Sequence, residues 1–522
     1  MKRCKMESKE RSYIEVMQHI PDGATIGTTS FGIGGLPEQL IVGLGKYYKK
    51  HKHPKEITFS TTAGIGVGEG RGLDHLIEPG LLKRVVASHI ATSPLANQAA
   101  QENKFEMYQL PQGIIGKLYR NAAGKGPGVF SQIGIDTFID PKNEGGKLNQ
   151  KAEEAEDLVR EIELNGERWL HYKPLPVNVA FIKATYADKD GNLSIQHETH
   201  KLESLSLAMA AYNAGGVVIA QVEQMVEPHT FPAKDIFVPG AIVDYVVVGE
   251  EKYHMQTAGT YYHPALSNEI RVPLDKQLNM PLSPKKVIVR RASQELPKGS
   301  IVNLGNGIAA YVGEILAESK VIDDYSLNTD MGSIGGLPAT GIDYAPNYNA
   351  EAVIDTEDMF NFYHGNGLDV TVLGFGQLNA TGDMNVTKLG EYIFGPGGMI
   401  DISHEAKKII FVGTFVVKGK TAIKEGQLVV EEEGVQPKFV KDLPYITFSA
   451  KYARERNKEI LVVTDRAVFD FTKEGQMRLI EIAPGLDLEK DILKWMEFKP
   501  VISDSLKEMD SNLFKENWTL TN

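Results

Sequence analysis

Residues 21–35, PDGATIGTTSFGIGG, decide the fold, because residues 297–307, PKGSIVNLGNG, repeat their pattern. Each stretch begins with Pro-x-Gly, continues as a short β-branched strand and ends in a glycine-rich turn that leads into a helix. Open α/β sheets use such turns and bind ligands at the carboxyl ends of their strands. We therefore predict two related open α/β domains, packed with their strand ends facing a shared active site.

Short β-branched runs alternate with helical segments along most of the chain, a pattern typical of parallel βαβ layers. In the first half we predict a helix over 37–51, with Pro37 in its first turn. The predicted strands of this half are ITFSTTA (57–63), LKRVVASH (82–89), VNVAFIKAT (177–185), GVVIAQV (216–222) and AIVDYVVV (241–248).

Residues 272–285, VPLDKQLNMPLSPK, contain three prolines and no clean periodicity, as expected of a linker. We predict an N-terminal domain over 1–271, a linker over 272–285 and a C-terminal domain over 286–522. After the linker the alternation restarts with KVIVRRA, SIVNLG, DDYSLNT, LDVTVLGF, KIIFVGTF and EILVVTD.

The composition excludes several classes of protein. With 522 residues, 42% of them hydrophobic and 24% charged, the chain is a folded protein of more than one domain. Its net charge of -12 disfavours nucleic acid and anionic membranes as partners. Cys4 is the single cysteine and lies in a charged tail, which rules out disulfide scaffolds and thiolate metal clusters.

The N-terminal tail predicts a cytoplasmic location. It begins MKRCKMESKE and leads into no apolar segment, while Glu7 and Glu10 disfavour a mitochondrial presequence. No apolar stretch approaches the ~18 residues that a membrane helix needs.

Gly-x-Gly elements are frequent, but none extends to the Gly-x-Gly-x-x-Gly of dinucleotide-binding domains, so a nicotinamide or flavin oxidoreductase is disfavoured. The glycines either form tight turns or present backbone N–H groups to a phosphate or an oxyanion. The elements are Gly32–Gly34, Gly64–Gly66, Gly305–Gly307, Gly374–Gly376 and Gly395–Gly397.

The histidines of His197-Glu-Thr-His200 have a spacing of i, i+3 in a non-helical context, which does not match the helical i, i+4 pair of zinc proteases. We predict no metal there. The preceding segment 188–192, DKDGN, predicts an Asp-Gly turn rather than a calcium loop.

The segment 327–338, LNTDMGSIGGLP, places a carboxylate, Asp330, at the end of a predicted strand and before a glycine-rich turn. Ligand sites of open α/β sheets occupy this position. Local pattern alone also allows Asp330 to be a turn-forming or capping residue.

Longer motifs decide between these two roles of Asp330, because they resemble those of a known family. The chain resembles the family I CoA-transferases over nearly its whole length, and most closely the fused-chain short-chain acyl-CoA transferases typified by propionate and acetate CoA-transferase. The matching runs are GEGRGLDHL (68–76), GLLKRVVASH (80–89), LPQG (110–113), FIDPKNEGGKLN (138–149), LESLSLAMAA (202–211), NEIRVPL (268–274), GSIGGLPATG (332–341), GLDVTVLGFGQ (367–377), GPGGMIDISHEAKKIIFVGTF (395–415) and EIAPGLDLEKDIL (481–493).

The resemblance implies roles for single residues. Asp330 stands where the family has its nucleophilic glutamate, in the motif E-x-G-x-I-G-G, and the C-terminal domain therefore carries the nucleophile. Asn306 and Gly398 correspond to the family's oxyanion-binding residues. Further residues implied in binding the substrate or coenzyme A are Gly32, Gly34, Gln112, Gly305, Gly307, Gly332 and Gly397.

The resemblance further implies a ping-pong reaction, in which coenzyme A moves from an acyl-CoA to a small carboxylic acid through an enzyme-CoA thioester. Coenzyme A is then a substrate, no cofactor is bound permanently, and the protein is a homo-oligomer, a tetramer by resemblance. Because the expected glutamate is an aspartate, two alternatives stay open. They are an acyl-CoA hydrolase and an impaired or non-catalytic acyl-CoA binder.

Overall fold

The computed structural model describes residues 8–68, 70–278 and 280–520, so Cys4 and Glu7 lie outside the described residues. The chain divides into two compact units. Unit 1 comprises the described residues up to Ile270 together with Val353–Phe360 and Gly390–Gly398. Unit 2 comprises Arg271–Ala352, Asn361–Leu389 and the described residues from Met399 onward.

This division differs from contiguous halves in two ways. Two short segments of the second half belong to unit 1. The stretch 272–285, expected to be a linker, belongs to unit 2 and contains a 3-10 helix, Leu274–Gln277, and the start of a longer helix at Pro284.

Unit 1 is built around a sheet with the strand order β11-β10-β8-β1-β2-β3-β4, in which these neighbours are all parallel. Its strands are β1 (Thr25–Thr28), β2 (Ile57–Thr61), β3 (Leu82–Ala87), β4 (Glu106–Gln109), β5 (Val129–Ser131), β6 (Val159–Leu164), β7 (Glu167–Tyr172), β8 (Val179–Asp188), β9 (Leu193–Ser194), β10 (Val217–Val226) and β11 (Tyr245–Val248). Its helices are α1 (Glu38–His51), α2 (Pro94–Gln101), α3 (Gln112–Ala123), α4 (Gln150–Glu153) and α5 (Ser204–Asn213).

The predicted strands of the first half are confirmed as β2, β3, β8, β10 and β11, and the predicted helix as α1. They were recognisable because β-branched and other apolar residues are concentrated in short runs, as is typical of parallel strands covered on both faces. The Asp-Gly turn is also confirmed, since Asp188 Oδ1 accepts hydrogen bonds from the backbone N–H groups of Asp190 (3.0 Å) and Asn192 (2.9 Å).

Unit 2 contains a second sheet, with the order β17-β14-β13-β12-β18-β23-β28-β29-β30-β31. The strands of the second half are β12 (Ile301–Leu304), β13 (Ser326–Asn328), β14 (Ser333–Ile334), β15 (Leu337–Pro338), β16 (Asn347–Tyr348), β17 (Ala352–Val353), β18 (Val370–Gly374), β19 (Gln377–Leu378), β20 (Met384–Asn385), β21 (Lys388–Leu389), β22 (Tyr392–Ile393), β23 (Lys408–Gly413), β24 (Val416–Val417), β25 (Lys420–Lys424), β26 (Gln427–Glu432), β27 (Gln436–Pro437), β28 (Glu459–Thr464), β29 (Ala467–Phe471), β30 (Met477–Ile482) and β31 (Val501–Glu508). The helices are α6 (Pro284–Ser293), α7 (Tyr311–Glu318), α8 (Thr356–His364), α9 (Met399–Glu405) and α10 (Ala450–Glu455).

The run KVIVRRA, which opens the alternation of the second half, forms helix α6 rather than a strand. Ser283 caps the helix, because its side chain accepts a hydrogen bond from the Lys286 N–H, and Pro284 occupies the first turn. The helix is buried on several sides, and Arg290 is 0% exposed. A short β-branched run with both faces buried does not distinguish a strand from a helix.

The core of unit 2 lies between the sheet and helices α6 and α7. Val302, Leu327 and Val372 of β12, β13 and β18 pack in one cluster with Val287 and Ile315 of the helices. Among the described residues no helix is both long enough and apolar enough to cross a bilayer.

Candidate active site

Asp330 lies at the tip of a tight hairpin at the carboxyl end of β13. The Thr329 N–H donates to the Ser333 carbonyl (3.1 Å), and the Gly332 N–H donates to the Thr329 carbonyl (3.2 Å). Gly332 has a φ of 103°, a conformation that favours glycine. The half-buried Asp330 is thus held on a short turn at the end of a core strand.

The two glycines after the hairpin are required by close approach. Gly336 has a φ of 69°, and a Cβ at this position would be 2.1 Å from the Tyr348 carbonyl oxygen. A Cβ at Gly335 would be 2.6 Å from Cγ of Glu351. The Ile-Gly-Gly part of the motif therefore keeps the chain after Asp330 packed against the segment that contains β16.

Four buried polar side chains from three strands and one helix meet beneath this hairpin. The Tyr363 hydroxyl donates to Asn328 Oδ1 (2.7 Å) and accepts from Asn303 Nδ2 (3.2 Å). Thr371 Oγ1 donates to Asn303 Oδ1 (3.1 Å). Burial raises the pKa of Tyr363 well above its usual value, and the charge of Asp330 adds to this effect. The hydroxyl is therefore neutral, and Asp330 is close enough for its charge to act on it.

The glycine-rich loop after β12 carries Asn306, one of the predicted oxyanion-binding residues. The Gly305 N–H donates to the Val372 carbonyl (2.9 Å), whereas in the described part of the chain no group accepts a hydrogen bond from the Asn306 N–H. Asn306 and Gly307 are exposed, and Gly307 has a φ of 80° with open space around it. The loop thus presents a backbone donor immediately before a helical turn that leads into α7.

The sheet places Asp330 and Asn306 just beyond the carboxyl ends of two neighbouring strands. Strands β12 and β13 are parallel neighbours, with Asn303 paired to Asn328. Asp330 follows Asn328 by two residues, and Asn306 follows Asn303 by three. This register places the predicted nucleophile and one predicted oxyanion donor at neighbouring strand ends.

In unit 1, the predicted residues Gln112 and Gly397 lie together. Gln112 is buried at the first residue of α3, and its Oε1 atom is 3.8 Å from the position of a Cβ at Gly397. The Gly397 N–H donates to the Ser88 carbonyl (3.1 Å) at the end of β3. Gly398, the other predicted oxyanion residue, is buried directly before α9.

His89 also lies beside this loop, and sequence reasoning missed it. Its Cα atom is 2.8 Å from the position of a Cβ at Gly395, and its Nδ1 atom is 2.6 Å from the position of a Cβ at Gly64. Burial lowers the pKa of His89 to about 4, so the imidazole is neutral at physiological pH. The one signal in the sequence that could have indicated His89 is its place at the end of GLLKRVVASH (80–89), a run that resembles the family.

The amide groups of Gly32 and Gly34 are occupied within unit 1. The Gly32 N–H donates to the Gly64 carbonyl (2.8 Å), and the Gly34 N–H donates to the Phe31 carbonyl (3.0 Å). The sequence left open whether such glycines form tight turns or present free backbone donors, and at Gly32 and Gly34 the N–H groups already donate to carbonyl oxygens. Any contact of these two glycines with coenzyme A must therefore involve other atoms.

His197 and His200 bind different partners. His197 Nδ1 is 2.8 Å from Glu223 Oε2, and His200 Nδ1 is 2.7 Å from the Thr199 hydroxyl. The structure thus gives each histidine a hydrogen-bonding partner of its own.

Comparison with known proteins gives a consistent result. Residues 11–249 match the family described as coenzyme A transferase. The chain is 42% identical over 510 residues to caffeate CoA-transferase of Acetobacterium woodii, covering 97% of each chain. It is 40% identical over 503 residues to acetate CoA-transferase YdiF of Escherichia coli K12, covering 96% of this chain and 94% of the relative.

A solved structure agrees with this family. The crystal structure of the acyl-CoA transferase YdiF from Escherichia coli O157:H7, described as a thioester complex with CoA, superposes with a TM-score of 0.90. The two chains are 38% identical, and the match covers 98% of this chain and 96% of the other.

Proposed function

The chain belongs to the coenzyme A transferase family, and from this premise we propose that it moves coenzyme A between a short-chain acyl-CoA and a free short-chain carboxylate, with Asp330 as the nucleophile. The observation that supports this role most directly is the position of Asp330. Its carboxylate stands on a rigid hairpin at a strand end, and the neighbouring strand end offers the unengaged N–H of Asn306.

The proposed reaction needs only a carboxylate and backbone donors. Asp330 attacks the thioester carbonyl, and the tetrahedral oxyanion collapses to an Asp330–acyl anhydride as the C–S bond breaks and the CoA thiolate leaves. The thiolate then attacks the Asp330 carbonyl, which releases the acyl group as a carboxylate and leaves an Asp330–CoA thioester. The incoming carboxylate reverses these steps.

No proton transfer is required, because both the thiolate and the carboxylate leave as anions. The Asn306 N–H is the donor we assign to the developing oxyanion, and Gly398 stays a predicted second donor. Loss of one such donor raises an activation barrier by roughly 3 kcal/mol.

The preferred acid is part of the proposal. One relative is named for acetate and another for caffeate. We propose acetate and propionate as substrates. The test is to compare acetate, propionate and caffeate as acceptors from acetyl-CoA, and a kcat/KM for caffeate far above the other two would refute the short-chain assignment.

The side chain at position 330 favours hydrolysis as a second activity. Aspartate is one methylene shorter than the family's glutamate, which leaves room for water beside the thioester. A hydrolase would release free coenzyme A from acetyl-CoA whether or not propionate is present, whereas a transferase would form propionyl-CoA.

The deciding experiment mixes acetyl-CoA with propionate and follows both propionyl-CoA and free coenzyme A. We expect propionyl-CoA from the wild-type protein and a loss of more than about 10³-fold in Asp330→Ala. Asp323→Ala is the control, since Asp323 is an exposed acid on the same segment. Full activity in Asp330→Ala would show that Asp330 is only a turn residue.

The homo-oligomer and the cytoplasmic location stay predictions. Light scattering on the eluting protein measures the molar mass, and a tetramer is the expected state.

A further inference from the structure

The buried hydroxyl of Tyr363 connects the two strand ends that carry the proposed chemistry. We propose that Tyr363, acting with Asn303 and Asn328, is a positioning residue that fixes the Asp330 hairpin against the Asn306 loop. This inference rests on the proposed function and extends it to residues that touch no substrate.

The hydrogen bonds form a chain with a defined direction. Thr371 Oγ1 donates to Asn303 Oδ1 at 3.1 Å, so the amide nitrogen of Asn303 is turned towards Tyr363. That nitrogen donates to the Tyr363 oxygen at 3.2 Å, and the Tyr363 O–H therefore points at Asn328 Oδ1, 2.7 Å away. Asparagine has separate donor and acceptor ends, so each member of the chain fixes the orientation of the next.

This chain is attached to both functional segments. Asn328 is the last residue of β13 and lies two residues before Asp330. Asn303 belongs to β12 and lies three residues before Asn306. Backbone pairing sets the register of the two strands, and the side chains add a second connection at the level where the loops begin.

Tyr363 acts by position and not as an acid. The side chain is 0% exposed, and its pKa is raised well above the usual value by burial and then by the charge of Asp330. A group in this state neither releases nor gains a proton at physiological pH. The reaction proposed above also has no step that needs one.

The test is Tyr363→Phe, which keeps the buried ring and removes only the hydroxyl. Asn328, at the base of the Asp330 hairpin, then loses its hydrogen bond from Tyr363. A displacement of the Asp330 carboxylate by about 1 Å costs up to ~10²-fold in rate. We expect kcat of the proposed transfer to fall about 10- to 100-fold, while KM for acetyl-CoA changes less than about two-fold, because substrate contacts are untouched.

Tyr172→Phe is the matched control. Tyr172 is also 0% exposed, and its hydroxyl donates to the Ile133 carbonyl at 2.6 Å; both residues belong to unit 1, whereas Tyr363, Asn303 and Asn328 belong to unit 2. Both variants lose one buried tyrosine hydroxyl. If kcat per folded molecule falls equally in both, or in neither, Tyr363 is a packing residue and the inference is wrong.

A double variant tests whether the residues act as a unit. Asn328→Ala should lower kcat in the wild type but have a much smaller further effect in Tyr363→Phe, where the short bond from Tyr363 is already lost and Asn328 Oδ1 keeps only the longer contact with Asn303 Nδ2 (3.5 Å). Multiplicative losses would overturn the inference. If Tyr363→Phe fails to fold, Thr371→Val takes its place, because it removes the first donor of the chain; a kcat unchanged from wild type would then contradict the proposal.

Failure of this inference is distinguishable from failure of the proposed function. Mass spectrometry of the wild-type protein after incubation with acetyl-CoA reports a covalent CoA adduct at Asp330. Absence of both adduct and transfer in the wild type refutes the function. An adduct that forms at the same rate in wild type and Tyr363→Phe refutes the positioning role alone.

Discussion

The side chains of Glu203 and Glu357 are buried against the same residue of α3. Their Cγ atoms lie 3.5 Å and 3.1 Å from the position that a Cβ at Gly116 would occupy. Burial, and then the charge of Glu357, raise the pKa of Glu203 to about 8. Burial raises the pKa of Glu357 to about 7. Arg120 Nε is 4.0 Å from Glu357 Oε1 and is the neighbouring cation.

This pair predicts a loss of stability at alkaline pH. Both folded-state pKa values lie above the unfolded value of 4.5. The stability that the protonated pair contributes is therefore fully present below pH 4.5 and is lost as the pH rises through about 7 to 8. Because glutamine does not titrate, Glu203→Gln should lose less stability than the wild type between pH 6 and pH 8.5. Over this range the free energy of unfolding of the variant should gain at least about 1.4 kcal/mol relative to that of the wild type. Urea unfolding at both pH values measures this difference.

The control is Glu227→Gln, because the Glu227 side chain is 75% exposed and pairs with Lys189 at the surface. It should leave the pH dependence unchanged. An equal pH dependence in wild type and Glu203→Gln would contradict a buried, protonated pair.

Asp330→Glu should raise transfer by at least roughly ten-fold, which corresponds to about 1.4 kcal/mol in the barrier. Aspartate withdraws the carboxylate by ~1.5 Å relative to glutamate, and misplacement of this size slows a reaction strongly. The ratio of free coenzyme A to propionyl-CoA should fall at the same time. If Glu is slower than Asp, the hairpin has adjusted to the shorter side chain, and the misplacement argument fails.

Gly336→Ala should destabilise the protein and reduce transfer. The residue has a φ of 69°, and its new Cβ would be 2.1 Å from the Tyr348 carbonyl oxygen, so the backbone after Asp330 must move. Gly341→Ala is the matched control, since its φ is 70° but nothing lies within 4 Å of the new Cβ. We expect the free energy of unfolding to fall by about 1 kcal/mol in the control, from backbone strain alone, and by more in Gly336→Ala.

Thermal unfolding and the rate of propionyl-CoA formation measure both effects. Equal melting temperatures for the two variants would show that the segment around Tyr348 does not constrain the hairpin.

Coenzyme A should bind despite the net charge of -12, through loop amides and a few local cations rather than a broad basic face. Its affinity should therefore fall only moderately between low and physiological salt. Isothermal titration at several salt concentrations measures this dependence. No binding of coenzyme A or acetyl-CoA at millimolar concentration would eliminate the transferase, hydrolase and binding-protein interpretations together.

The sequence alone indicated many of the core strands, the Asp-Gly turn at 188–192 and the candidate nucleophile. Strands such as β23 and β28 are largely apolar runs, and this local signal is present without tertiary information. Asp330 was singled out by a contiguous motif, a carboxylate before a glycine-rich turn, and the resemblance to the family then chose the nucleophile over a turn-forming residue. Helix α6 was not, because the run KVIVRRA is buried in a way that only its neighbours reveal.

Tertiary structure decided which distant groups meet. Asn303, Asn328 and Tyr363 come from separate elements, and nothing near Tyr363 in the sequence indicates that its hydroxyl reaches Asn328. Glu203 and Glu357 likewise become neighbours only because α3 provides a common packing surface at Gly116. Local pattern encodes backbone conformation, whereas the direction of a side-chain hydrogen bond and the pKa of a buried acid depend on which elements pack together.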